Sequence, residues 1–290
     1  MKVTGFTFVR NAVKYGYPVV EAVKSVLPLC DAFVVAVGDS EDETLELIKS
    51  IDSNKITIIE TIWDDSLRAG GRVLAVETDK AYAAIPDDTD WAFYIQGDEV
   101  IHEQYYPVIK ESMLKFSKDS SIDGLLFKYR HFYGSYDYVG DSYDWYRREI
   151  RLFKYSKDIF SYKDAQGFRK KINDKLSVKL VDAYVHHYGW VREPEAMQKK
   201  RTGFGKLYHD DQWIEKHVGD ATKFDYSGIG SLKKYNGTHP KVMIPLIDAK
   251  NWEFTHDISQ NSYSVKDRFK RFVEKVTGRR IGEYRNYKLV

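Results

Sequence analysis

The stretch Ala32-Phe-Val-Val-Ala-Val-Gly-Asp-Ser-Glu-Asp-Glu-Thr44 decides how the first third of the chain is read. An apolar run of strand length stops at Gly38-Asp39, and a helical pattern over 44–50 follows. Unbroken apolarity marks a strand covered on both faces, a property of parallel sheets whose crossover helices lie on either side. The same unit recurs on both flanks. Val3 to Val9 reads as a strand, Tyr17 to Leu27 as an amphipathic helix closing at Pro28, Lys55 to Thr61 as a strand, Arg72 to Ala84 as a helix and Trp91 to Ile95 as a strand. Strands and helices alternating at this spacing predict an α/β fold with a mainly parallel central sheet and flanking helices. Ligands of such sheets sit beyond the carboxyl ends of the strands, where this sequence clusters its acids.

Three strand ends carry groups suited to chemistry. At the first, Gly38 lets backbone approach a ligand, and Asp39 offers a carboxylate to the donors of a base or ribose. Ser40 and Glu43 also have the spacing of a capping box, which would make the segment structural. At the second, Trp91-Ala-Phe-Tyr-Ile-Gln-Gly-Asp-Glu99 is expected to bring two carboxylates, Asp98 and Glu99, to the sheet edge, where Mg²⁺ or Mn²⁺ finds oxygen ligands. A turn with solvated acids is the bland alternative. At the third, Val181-Asp-Ala-Tyr-Val-His-His-Tyr-Gly-Trp-Val-Arg192 holds adjacent histidines, only one of which can face a given site from an extended chain. A neutral imidazole there could complete a metal sphere of carboxylate, phosphate and water. Packing or simple hydrogen bonding is the other reading of both rings.

The 290 residues, 43% hydrophobic and 30% charged, suffice for a sizeable core, which excludes global disorder. No apolar run reaches membrane-spanning length, and Met1 to Arg10 has no signal-peptide pattern, so an intracellular, cytoplasmic protein is expected. The single cysteine, Cys30, excludes a disulfide framework and a cysteine-rich zinc site. The formal net charge of +2 hides a polarity: residues 1–104 hold 9 basic against 19 acidic side chains, and the remainder 36 against 24. Residues 264–290 alone hold 9 basic and 3 acidic, with Phe269, Phe272, Val273 and Val276 at helical spacing. This segment suits a basic helix at a membrane surface, or a helix packed on its own domain with a solvated basic face. The basic, aromatic second portion interleaves its cations with acids and shows no nucleic-acid motif, so no nucleic-acid partner is expected. A dinucleotide oxidoreductase is excluded because Val9-Arg-Asn-Ala-Val-Lys-Tyr-Gly16 lacks the glycine-rich turn.

Taken in order, these segments resemble the glycosyltransferase A (GT-A) fold, and specifically the bacterial family 2 glycosyltransferases. Thr4-Gly-Phe-Thr-Phe-Val-Arg-Asn11 matches a strand start, and Gly38-Asp-Ser-Glu-Asp-Glu-Thr44 is similar to the family's Asp-x-Gly-Ser-x-Asp-x-Thr stretch. Arg68-Ala-Gly-Gly-Arg-Val-Leu-Ala-Val-Glu-Thr78 falls where the family has a glycine-rich turn and helix. Gln96-Gly-Asp-Glu99 resembles the Asp-x-Asp metal motif, with Gln96 in place of its first Asp and Gly38 where an Asp is common. His187-Tyr-Gly-Trp-Val-Arg192 is similar to a segment of some bacterial members.

The resemblance implies an inverting transfer of a sugar from a nucleotide diphosphate sugar to a hydroxyl of a glycan or lipid-linked acceptor, in surface glycan or lipopolysaccharide synthesis. It implies Mg²⁺ or Mn²⁺ on Asp98 and His187, and a donor held by Asp39, Gly38, Arg68, Gln96, Arg192, Lys199 and Lys200. Guanidinium and ammonium groups suit the diphosphate charge. The family's base is a carboxylate after the metal strand, for which Asp164 is the positional candidate and Glu149 the alternative. The expected organisation is a nucleotide-sugar half (1–104), an acceptor half (105–220) and a C-terminal extension (221–290) with a basic amphipathic helix that contacts the inner face of a membrane. A nucleotidyltransferase, or a sugar-nucleotide or carbohydrate-binding protein impaired by Gln96, are the alternatives.

Overall fold

The computed structural model describes residues 1–290 except Asp220 and Arg279. Those two, the last residue of the expected acceptor half and one cation of the basic tail, lie outside the described residues. Along the first hundred positions run β1 (Val3–Val9), α1 (Val19–Val26), β2 (Ala32–Gly38), α2 (Thr44–Lys49), β3 (Ile56–Thr61), α3 (Arg72–Ala83) and β4 (Trp91–Tyr94). The strands lie in the order β3-β2-β1-β4, all parallel. The alternation along β2 explains its sequence: Phe33, Val35 and Val37 pack with Val19, Val23 and Val26 of α1, whereas Val34 and Ala36 face the side of Val73, Leu74 and Ala81 of α3. Both faces are thus buried, and no polar position survives in the strand.

The second half continues with β5 (Glu99–Ile101), α4 (Tyr106–Phe116), β6 (Gly124–Tyr133), β7 (Ser135–Gly140), β8 (Arg148–Lys154), β9 (Ile159–Tyr162), β10 (Gly167–Lys170), β11 (Asp174–Lys175) and β12 (Ser177–Trp190). Beyond these lie α5 (Pro194–Tyr208), α6 (Asp211–His217), β13 (Leu232–Lys234), α7 (Ile244–Asp248), α8 (Val265–Thr277) and β14 (Lys288–Leu289). Strand β8 joins β4 antiparallel and pairs with β6 on its other edge, extending the same sheet. Strand β12 lies parallel to β6 and antiparallel to the short β5. The chain is therefore an α/β protein whose parallel strands carry helices on both faces. Strands β9, β10 and β11 form a separate small antiparallel sheet.

Two expectations are corrected. The Ser40–Glu43 capping box does not form: Glu43 is itself the residue before α2, and Ser40 Oγ instead donates to Gly38 O and accepts from Asn11 N at 3.0 Å. The segment ties the β1 and β2 strand ends together, helped by Glu41 N donating to Asn11 Oδ1 at 2.8 Å. The second correction concerns Glu99, which does not share an open edge with Asp98. Glu99 and Arg151 are both 0% exposed and form a two-pronged pair, Nε to Oε2 at 2.7 Å and Nη2 to Oε1 at 2.8 Å. Tyr129 Oη donates to the same carboxylate at 2.7 Å, and Gln96 N at 3.2 Å.

Removing one member of a buried ion pair strands the other charge. Glu99→Gln is expected to lower unfolding free energy by about 3–5 kcal/mol in urea titrations, with Arg151→Met less damaging because an unpaired buried carboxyl can take up a proton whereas a stranded guanidinium cannot shed one.

Candidate functional site

A cleft of about 1260 Å³ opens across the carboxyl ends of β1 and β4. Its floor is Phe8 to Asn11 and Gln96 to Asp98, and one wall is α5. The position follows from the topology, because strand-end loops and helix termini meet there without backbone to cover them.

Asp98 is buried at this floor. Its backbone carbonyl accepts from Tyr188 N at 2.8 Å, which draws β12 alongside and sets His187 next to the carboxylate. Lys200 Nζ lies 3.0 Å from Asp98 Oδ2 and donates to Gly189 O at 2.9 Å, and Arg192 Nη2 is 3.8 Å from the same Oδ2. Burial opposes ionisation of Asp98, but Lys200, His187 and Arg192 outweigh it and hold its carboxyl well below the usual carboxylate range. Burial likewise lowers Lys200 to about 8 and His187 to about 4. His187 is thus neutral at pH 7, and the two cations carry the effect on Asp98.

The tautomer of His187 follows from its neighbours. His131 Nε2 lies 2.7 Å from Tyr146 O, a carbonyl that only accepts, so His131 carries its proton on Nε2. Burial lowers His131 to about 3, so its Nδ1 holds a lone pair. That lone pair accepts from His187 Nδ1 at 3.0 Å. His187 Nε2 is left unprotonated, and it faces Asp98 Oδ1 at 3.6 Å. Two lone-pair atoms opposed at this range repel unless a cation lies between them. This donor set, with an imidazole oriented by an outer hydrogen bond, fits a divalent cation. Among the described residues no group of three or more His, Cys, Asp or Glu could hold a metal ion. Phosphate oxygens and water would have to supply the rest of the sphere.

His186 points the other way. It is buried with its Nε2 3.1 Å from an Arg130 nitrogen and its ring against Phe132. The sequence separates the two rings by strand alternation, but it carries no sign of His131, which reaches His187 only through the β6–β12 register.

Of the remaining expected residues, Arg68, Gln96, Asp164, Lys199 and Lys200 line the cleft, whereas Gly38, Asp39, Glu149 and Arg192 do not. Asp39 lies beside Arg10, whose Nε donates to Asp39 O at 2.9 Å and stands 3.4 Å from Oδ1. A Cβ on Gly38 would fall 2.3 Å from Trp63 Nε1, so the indole fills the space that the sequence reading reserved for a ligand. Arg68 lines the cleft and is held by Lys206 O at 2.7 Å and Asp211 at 2.8 Å. Gln96 also lines it, its amide donating to Ala165 O at 3.3 Å. Lys199 and Lys200 line it from α5. Arg192 turns inward, donating to Tyr15 O at 2.7 Å and to Gly189 O, with its Nη2 buried and without a hydrogen bond.

Asp164 lines the cleft from the turn between β9 and β10. Tyr208 Oη donates to its Oδ2 at 3.1 Å. Its neighbours Lys163 and Ala165 have φ of 58° and 63°, a left-handed conformation that costs side-chain-bearing residues energy and recurs at functional sites. Glu149 is different: it is buried, does not line the cleft, and burial raises it to about 8. At neutral pH it is an uncharged acid, unable to take up a proton. The residues that sequence reasoning missed are Phe8, Arg10, Trp63, Asp65 and Tyr208, all lining the cleft.

No protein-family model matches the chain, and no curated protein does. Among solved structures, S. aureus TarS residues 1–349 is 14% identical over 76% of this chain and 69% of its own, with a TM-score of 0.37. A longer TarS structure is also 14% identical over 70% of this chain, which spans only 39% of its length, at a TM-score of 0.36. Glucosyl-3-phosphoglycerate synthase from Mycobacterium tuberculosis, in complex with Mn²⁺, uridine diphosphate and glucosyl-3-phosphoglycerate, is 16% identical over 46% of this chain and 45% of its own, at 0.31.

Histidines buried in the neutral form bind protons more readily in the unfolded chain. Since His131, His186 and His187 all lie below their ordinary value, the unfolded state gains protons first as pH falls below about 6.5. The urea midpoint is expected to drop between pH 7 and pH 4.5, and His186→Phe to flatten that slope.

Proposed function

We propose that the protein is a GT-A-type glycosyltransferase of the family 2 kind, moving a sugar from a nucleotide diphosphate sugar to an acceptor hydroxyl with inversion. The observation that carries this reading is the opposition of Asp98 Oδ1 and His187 Nε2 at the floor of a cleft across parallel strand ends, with Lys200 on the other carboxylate oxygen. An anionic leaving group, a cation and a carboxylate base are what such a reaction requires, and the cleft offers a place for each.

Asp98 and His187 would hold Mg²⁺ or Mn²⁺, which when bound would draw charge from the diphosphate. Lys199 and Lys200 present ammonium groups to the same anion, and Arg192 stiffens the floor by fixing the Tyr15 and Gly189 carbonyls. At the other end, Phe8 and Trp63, 5.8 Å apart, give an apolar wall for a base, with Arg10 and Asp65 beside it. Asp164 takes the proton of the acceptor hydroxyl as its oxygen bonds to the anomeric carbon and the carbon–oxygen bond to the diphosphate breaks. Tyr208 keeps the carboxylate oriented. Within this reading residues 1–104 bind the donor, 105–220 approach the acceptor and 221–290 are an extension. Synthesis of a surface glycan on the cytoplasmic side of a membrane is the setting proposed.

A second reading has one observation behind it. Gln96 is built into the fold through Tyr94, Ala165 and Glu99, so a protein that binds nucleotide sugars without turning them over would keep the same floor.

Calorimetric titration with a panel of nucleoside diphosphates, with and without Mn²⁺, followed by a nucleotide-sugar hydrolysis assay, separates the two. The transferase reading expects Mn²⁺ to tighten binding and hydrolysis to follow. Binding without turnover supports the second reading, and no binding contradicts both. Asp164→Asn is expected to cut kcat by about 10²–10⁴-fold with little change in donor KM. His131→Leu, which removes the acceptor that fixes His187, should weaken Mn²⁺ binding by about 10–100-fold with its melting temperature as the folding control.

A further inference from the structure

Helix α8 is mounted with its faces reversed. Ser264 Oγ accepts from Asp267 N at 3.0 Å at one end, and Gly278 closes the other with a φ of 67°. Between these caps the helix holds to the body by polar groups. Arg271 Nη2 reaches Asp141 at 2.5 Å, while Glu274 accepts from Arg147 Nη1 at 2.7 Å and from Tyr143 Oη. On the opposite face Val265, Phe269, Phe272 and Val276 recur at intervals of four, three and four, which places them on one stripe. They are 84%, 61%, 64% and 68% exposed, and no residue of the helix is buried. The helix is thus packed on its own domain with Lys266, Arg268 and Lys275 solvated, but it packs through polar groups and leaves its apolar stripe outside as well.

We propose that this stripe inserts into the surface of an anionic lipid bilayer. Charge identifies the occupant. Lys266 flanks the stripe on one side, and Arg268 and Lys275 flank it on the other, the arrangement of a helix lying in an interface with its cations at headgroup level. Two of the three acids in residues 264–290, Glu274 and Glu283, are engaged by Arg147 and turned to the body. The outward charge is thus positive. A second copy of the chain fits less well. Stripe against stripe would bring two basic borders together, and 13 residues, about 20 Å of helix, present four apolar side chains, far short of a stable interface. No helix among the described residues is long and apolar enough to cross a membrane, so the contact is peripheral. This inference does not depend on the transfer reaction.

The test is co-sedimentation of the full chain with vesicles of phosphatidylcholine alone and of phosphatidylcholine mixed with phosphatidylglycerol. Binding is expected only to the mixed vesicles, reduced by added salt, and lowered by about 10-fold for each Phe replaced in Phe269→Ser and Phe272→Ser. Both side chains are exposed, so melting should be unchanged. Charge reversal by Lys266→Glu with Lys275→Glu should lower binding without touching the apolar stripe. Failure of the wild type to sediment, or sedimentation indifferent to the Phe replacements, overturns the proposal. Sedimentation velocity supplies the remaining outcome: a dimer that the Phe replacements dissociate, with no vesicle binding, assigns the stripe to a second copy instead.

Discussion

The pairing of Glu99 with Arg151 joins the two portions of the molecule. Both groups are fully buried, and their attraction is sustained by two parallel hydrogen bonds, a tyrosine hydroxyl and a backbone amide on the carboxylate, while Arg151 also donates to the Ile150 and Gln166 carbonyls. Charges taken this far from water persist only when every donor and acceptor is engaged. Glu99 opens β5 and immediately follows Asp98, whereas Arg151 lies in β8, so the pair fixes the floor of the cleft against the strand that leads to Asp164. The donor and acceptor sides of the proposed reaction therefore share one rigid reference.

Around that reference the charge layout becomes intelligible. The acidic first portion and the basic remainder meet at the cleft, where Asp98 from one lies against Lys200 and Arg192 from the other. Most of the first portion's acids serve elsewhere: Asp42 accepts from Lys14 N, Asp31 from Val3 N and Asp90 from Lys2 N. The basic tail has its own arrangement, with Arg271 turned inward and Lys266, Arg268 and Lys275 left around an apolar stripe.

What the sequence could convey depended on the range of the interaction. Local pattern was enough for the parallel strands, because burial on both faces of β2 writes an unbroken apolar run. It was also enough to separate His186 from His187, since strand alternation is local. The role of Glu99 is not local, because its partner is 52 residues away and nothing in Gly97-Asp98-Glu99 distinguishes a solvated carboxylate from one destined for a buried guanidinium. His131 was invisible for the same reason: its role arises only when β6 and β12 align in register. The space beside Gly38, which local sequence leaves open for a ligand, is filled by Trp63, 25 positions on. For α8 the sequence revealed the amphipathic pattern but not which face meets the body, a choice made by Asp141, Tyr143 and Arg147.

The proposed reaction needs a divalent cation held by Asp98 and His187 against a diphosphate. Electron paramagnetic resonance of Mn²⁺ with uridine diphosphate and the ¹⁵N-histidine-labelled protein tests it directly. Hyperfine coupling to one histidine nitrogen and to phosphorus is expected in the same complex, with the nitrogen coupling lost in His187→Ala and retained in His186→Ala. A spectrum identical to that of Mn²⁺ and uridine diphosphate in buffer would contradict it.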